Sequence, residues 1–310
     1  MNKRTIARCG IVFAAAVCCA LYSLYSGRRV RPDFDQFYGS ALALRNGLDP
    51  YDVVGPGRWF DFDFRFFYPL PAALVAMPFT FATIETARAT FAALSGAVAA
   101  LALTRHNDFS RTPALLSFSM LTAIQYGQLA PFMLAGLAYP WLAGIVAVKP
   151  SAGSAVVAGQ RNRRDATIAL GVASILTIVS LVINPRWPLR WLSIAGDTAA
   201  RPTVFVPVGF VLLLAALRWR KPAARWLFVF ALVPVTSPMY ESIPLFMSVR
   251  TFRQALILAL LTHTARWVEA IASPYPAGTF TQWLRVSAVC TVCLVYVPAL
   301  VWILREHDAN

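Results

Sequence analysis

The sequence predicts an all-α, polytopic membrane protein of about 8–10 transmembrane helices, by the rule of roughly 20 apolar residues per span. Three observations carry this. Of 310 residues, 58% are hydrophobic and only 14% charged, well below the roughly 25% charge usual in soluble domains. The mean hydropathy is +0.59. The apolar residues fall in long runs, and the basic residues stand between the runs in small clusters.

In chain order the candidate runs are Arg8–Tyr25, Glu85–Thr104, Thr112–Ile124, Ala166–Ile183, Val204–Leu217, Trp226–Val235, Ile243–Val249 with its flanks, Ala255–Ala272 and Trp283–Leu304. Lys3, Arg4 and Arg8 precede the first run, which reads as an uncleaved signal anchor over residues 8–26. Residues 27–84 read as an external loop with interfacial helices, and 85–304 as the rest of one helical bundle, so 1–310 is a single membrane domain. Pro69, Pro71 and Pro78 keep Tyr68–Ala82 from spanning. Pro131, Pro140 and Pro150 break Leu129–Ala158 into short or bent helices.

The net charge of +14 is spread over span ends, which fits attraction to anionic headgroups rather than to nucleic acid. With the N-terminus in the cytoplasm, cytoplasmic segments hold 15 of the 28 basic residues: Lys3, Arg4, Arg8, Arg105, Arg111, Arg161, Arg163, Arg164, Arg218, Arg220, Lys221, Arg225, Arg250, Arg253 and Arg305. Of the external segments, Gln125–Gln128, Pro238–Ser242 and Ser273–Gln282 hold none and Asn184–Pro202 holds three. This asymmetry sets the orientation. Five cysteines lie in or beside apolar runs, and the three histidines are scattered. Neither pattern implies a metal or redox site.

The first loop, Gly27–Phe67, carries six of the 14 acidic residues: Asp33, Asp35, Asp49, Asp52, Asp61 and Asp63. A helix is expected to begin at Asp33, with Phe34, Phe37, Tyr38, Ala41 and Leu44 forming one apolar stripe at the membrane surface. Asn46-Gly47 ends it, and Asp49-Pro50-Tyr51-Asp52 reads as a turn. Asp33 has two readings, a helix cap and a general base beside the bilayer. Lys149 interrupts an apolar run, and an intramembrane charge is a functional candidate by default. Its other reading is a lysine snorkelling from a span end.

These segments resemble a known family. Asp33-Phe34, Phe37-Tyr38, Ala41, Gly47 and Pro50-Tyr51-Asp52 are similar to the first-loop pattern of the polyprenol-phosphate-mannose-dependent mannosyltransferases of glycosyltransferase family 87, in the glycosyltransferase-C superfamily. Phe67-Tyr68-Pro69 with Pro71 and Pro78, Gly127-Gln128, Ala147-Val148-Lys149-Pro150 and Ser237-Pro238 with Tyr240 resemble its later motifs, in order. Leu70 and Ala130 depart from it, standing where the family has Pro and Asn.

The resemblance implies an inverting transfer of a sugar, mannose first, from a polyprenyl-phosphate donor to a glycolipid or glycan acceptor. The site would lie on the external face of a bacterial plasma membrane, among membrane lipids. Asp33 would be the base, with Asp35 as the alternative. Lys149 and Arg201 would meet the donor phosphate, and Gln128, Tyr68, Tyr240 and Glu241 the sugar or acceptor. No cofactor or metal is indicated. The competing readings are a lipid or solute transporter or flippase, and a non-catalytic protein of the same fold.

Overall fold

The structure, a computed structural model, describes residues 2–27, 30–196, 200–273 and 280–305. Part of the Ser273–Gln282 loop (residues 274–279) lies outside them.

The chain is largely helical. Helix α1 (Lys3–Ser26) starts on an Asn2 cap that accepts from the Arg4 amide. It packs on α5 (Ile84–Leu103), and Gly96 makes the close approach possible. A Cβ there would sit 2.6 Å from the Ala15 carbonyl oxygen. Small residues at such contacts let helix backbones meet in lipid, where van der Waals packing drives association. Between them lie α2 (Phe34–Arg45), α3 (Pro50–Val53) and α4 (Leu70–Ala76) with a 3₁₀ turn at Met77–Phe81. Next come α6 (Phe118–Gln125), α7 (Ala130–Ala138), α8 (Pro150–Ala158), α9 (Arg163–Ile183) and α10 (Trp187–Ala195). The chain closes with α11 (Pro222–Leu232), α12 (Pro238–Glu241), α13 (Phe252–Ala272), α14 (Phe280–Thr291) and α15 (Val297–Arg305). A π segment, Val292–Tyr296, joins α14 to α15. Strands β1 (Arg201–Pro202) and β2 (Pro234–Val235) form a two-residue antiparallel ladder.

Five helices among the described residues are long and apolar enough to cross a bilayer: Lys3–Ser26, Ile84–Leu103, Arg163–Ile183, Phe252–Ala272 and Gln282–Arg305. Their outward side chains include Phe13, Val182 and Ile271, 72%, 78% and 79% exposed. Patches of this kind suit lipid rather than water. The other apolar runs fold as shorter pieces. Gly209–Arg218 and Pro140–Ala147 are 3₁₀ helices, and α7, α8 and α11 each begin with a proline at the first or second position. A count of spans by run length therefore exceeds the number of long helices, because proline and glycine cut the runs.

Helix α2 corrects an expectation. Phe34 to Ala41 and Ala43 are all buried, on every face. It is not a surface helix with one apolar stripe. It is packed among α3, α4, α5 and the Met77–Phe81 turn. Asp49-Pro50-Tyr51-Asp52 is the start of a short helix, with the Asp49 side chain capping the Tyr51 amide at 3.0 Å.

The connections sort into two ends. At one end arginines cap carbonyls at helix C-termini: Arg105 on Ala138, Arg225 on Ala158 and Gln160, and Arg218 on Leu304. Cations there satisfy orphan carbonyls and complement the helix dipole. Arg111 donates to Val249 at the same end. The other end gathers α2 to α4, the Gln125–Gln128 turn, α10 and α12. Asn184, after α9, bonds Asp49 there at 2.9 Å.

Candidate functional site

Asp33 opens the site. Its backbone N–H donates to the Tyr126 carbonyl at 2.9 Å, which ties the start of α2 to the turn after α6. That turn needs Gly127. Its φ is +60°, and a Cβ would stand 2.6 Å from the Phe34 Cβ. Gly127→Ala is expected to lower stability by about 1–2 kcal/mol from backbone strain alone, with the clash adding to it. A thermal unfolding midpoint equal to wild type in the same detergent would contradict this.

Asp33 occupies the N-cap position of α2, yet its side chain makes no capping bond. Its Oδ2 instead accepts from Gln128 Nε2 at 2.5 Å. Gln128 Oε1 accepts from Lys149 Nζ at 3.5 Å. Lys149 also donates to Glu241 Oε1, completing a chain of acid, amide, amine and acid. The Lys149 ammonium lies 5.4 Å from the Tyr240 ring centroid. Glu241 is buried, and its Oε2 has no hydrogen-bond partner among the described residues. A buried, unmet carboxylate oxygen is costly unless something fills the role.

Asp33 keeps some accessible surface but is crowded by protein. That burial pushes its carboxyl up to about 6, against the pull of the Gln128 hydrogen bond and the Lys149 charge. Asp35 and Asp63 add smaller repulsions. Tyr68 and Tyr240 are buried, and burial first, then the charges of Asp33 and Glu241, hold both phenols protonated far above neutral pH. Tyr68 packs its ring 4.5 Å from Phe37, and its carbonyl accepts from the Tyr51 hydroxyl at 3.0 Å.

Asp35 has a different environment. Arg88, on α5, grips it with two parallel bonds of 2.7 and 2.5 Å, and Arg31 stands 3.9 Å away. Both oxygens of Asp35 are thus engaged by a guanidinium in the geometry that suits it best.

The structure brings Asp33, Gln128, Lys149, Tyr240 and Glu241 together, with Tyr68 close enough to feel both acids. It does not join Arg201 to them. Arg201 is exposed in β1, paired through its backbone with Val235, and its side chain has no partner among the described residues. Arg88 is the residue the sequence reading passed over. An arginine inside the Glu85–Thr104 run was the available signal.

Two second-layer contacts hold α12 in place. The Tyr296 hydroxyl donates to the Pro238 carbonyl at 3.0 Å, and Ser242 and Ser119 share a 2.7 Å hydrogen bond. Lys149 directly precedes α8, so it stands roughly 13 Å, the length of that nine-residue helix, from the end capped by Arg225.

Fold and composition define a polytopic helical membrane protein with a largely buried ionisable site. Comparison with protein-family models, curated proteins and solved structures returns no match.

Proposed function

We propose that this protein is a membrane glycosyltransferase that moves a sugar, mannose first, from a polyprenyl phosphate to an acceptor hydroxyl. The observation that carries the reading is the contrast between two carboxylates two residues apart. Arg88 occupies both oxygens of Asp35, whereas Asp33 has no arginine on it and does not cap its helix; burial raises both carboxyls, that of Asp33 to about 6. A base with a pKa near working pH is ionised and still able to accept a proton.

In this reading Asp33 takes the proton of the acceptor hydroxyl as its oxygen attacks the anomeric carbon from the face opposite the leaving group. The C–O bond to the lipid phosphate breaks, and the phosphate departs with the electron pair. Lys149 supplies positive charge to that phosphate, exchanging its Glu241 contact for it. Gln128 bridges the base and the ammonium, and Tyr68 and Tyr240 offer ring faces and hydroxyls to the sugar. Among the described residues Arg201 does not touch this group, so the reading gives it no part in holding the phosphate. The glycosyltransferase-C fold, the external location of the site and the donor class rest on the motif resemblance.

Mannose transfer from polyprenyl-phosphate-mannose, by protein purified into lipid nanodiscs, tests the reading. Transfer that persists undiminished in Asp33→Asn would overturn it. Lys149→Met is expected to raise the donor KM at least about tenfold, on the scale of a lost charge-assisted contact, while changing the acceptor KM little. Equal effects on both would remove the phosphate role.

A further inference from the structure

The arginine-capped end holds a cavity of about 480 Å³ that the transfer reaction does not use. Arg111, Arg161, Lys221 and Arg250 line it, one from each of four connections far apart in sequence. Among the described residues its lining contains no Asp or Glu. Like charges gathered in a concave site raise its positive potential and invite an anion. Trp226 and Leu245 contribute apolar surface beside the charges.

The donors are available. Arg111 is anchored through Nε to the Val249 carbonyl at 3.0 Å, which leaves its two terminal nitrogens without a protein acceptor among the described residues. The Arg161 side chain has no hydrogen bond or ion pair among the described residues and is exposed. Helix α11 has no side-chain N-cap, and its first residues, Pro222 and Ala223, also line the cavity. A helix N-terminus adds backbone N–H donors and a favourable dipole for an anion. Burial lowers the Arg111 pKa, and Arg161 adds to that; Asp108 opposes both, but it lies outside the lining and bonds Ser110 at 2.9 Å.

We propose that this basic cavity binds a phosphate-bearing anion, with Arg111 and Arg161 as its principal ligands. The cavity combines cationic and apolar lining. Those features suit the headgroup of an anionic phospholipid and equally the phosphate of a soluble anion. The inference stands apart from the proposed sugar transfer, whose residues lie at the other end of α8.

Two probes separate the sources. Wild type and Arg161→Glu are reconstituted in nanodiscs of phosphatidylcholine with or without phosphatidylglycerol, and are also titrated with inorganic pyrophosphate in detergent. Arg161→Glu breaks no hydrogen bond among the described residues, so its fold is expected to hold. The Arg111→Gln/Arg161→Gln pair extends the series. The readouts are the unfolding midpoint and the lipids retained in native mass spectrometry. Wild type is expected to be stabilised by one probe, with apparent affinity at least about fivefold weaker in Arg161→Glu. A response to phosphatidylglycerol alone supports a lipid headgroup, and a response to pyrophosphate supports a soluble phosphate. Wild type and variant responding alike to both probes would overturn the proposal.

Discussion

On the proposed function, Asp33→Asn is expected to lower sugar transfer by roughly 10²–10⁴-fold, the range for removing a general base. Asparagine keeps the shape and can still meet Gln128 after an amide flip, so the protein should fold. In wild type, kcat/KM should climb with pH and level off above about 6, where the Asp33 carboxyl is ionised. In Asp33→Asn the residual rate should lose that limb. A wild-type profile flat through this range would assign the proton to another group.

Asp33 also leaves a mark on stability, with the opposite slope. Its folded pKa, about 6, lies above the ordinary 3.8. The folded state therefore holds the proton more tightly than the unfolded chain. Its contribution to stability is complete below pH 3.8 and is lost as pH rises through about 6. The loss amounts to roughly 3 kcal/mol at most, at about 1.4 kcal/mol per pKa unit. Unfolding midpoints followed across this window should fall less steeply in Asp33→Asn than in wild type. Activity and stability thus pull in different directions at one carboxyl.

Arg88→Met is expected to destabilise the fold by about 3–5 kcal/mol, because it strands a buried carboxylate. Asp35 is fully buried and both its oxygens are bonded by Arg88. The pairing also joins α2 to α5, and so fixes the helix whose first residue follows Asp33. Arg88→Met combined with Asp35→Asn removes the stranded charge and should recover much of the loss. A single variant within about 1 kcal/mol of wild type, the size of an ordinary substitution, would mean that Arg31 alone suffices for Asp35.

The long helices were legible from apolar runs: Arg8–Tyr25, Glu85–Thr104, Ala166–Ile183, Ala255–Ala272 and Trp283–Leu304 each correspond to a long helix, within a few residues at each end. Depth was less legible. Gly209–Arg218 and Pro140–Ala147 are apolar enough for spans, but their backbones coil as 3₁₀ helix over short lengths, and composition does not report that. The surroundings of Asp33 were legible in part, because Lys149 and Glu241 are charges in apolar or uncharged segments and Gln128 stands in one of the resembled family's motifs. That they form one chain of contacts was not, since they are separated by up to 208 residues (241 − 33). The preference for Asp33 over Asp35 in the proposed function rests on Arg88, which lies 53 residues from Asp35. Helix α2 misled because its polar residues suggested a wet face, whereas Asp35 is neutralised by Arg88 and Gln36 reaches the carbonyls of Phe64 and Arg65 at 3.4 Å.

The π segment at Val292–Tyr296 has a rotational consequence. Accommodating one residue more than an α-helical turn resets the azimuth of everything after it by about 100°, the turn per residue. Before the segment, α14 faces α13; after it, α15 packs on the 3₁₀ helix Gly209–Arg218. A straight helix of the same sequence could not aim both stretches correctly. The segment therefore works as a phase corrector within one rod, and Tyr296, at its last position, is the side chain that the corrected azimuth delivers to the Pro238 carbonyl beneath Tyr240 and Glu241.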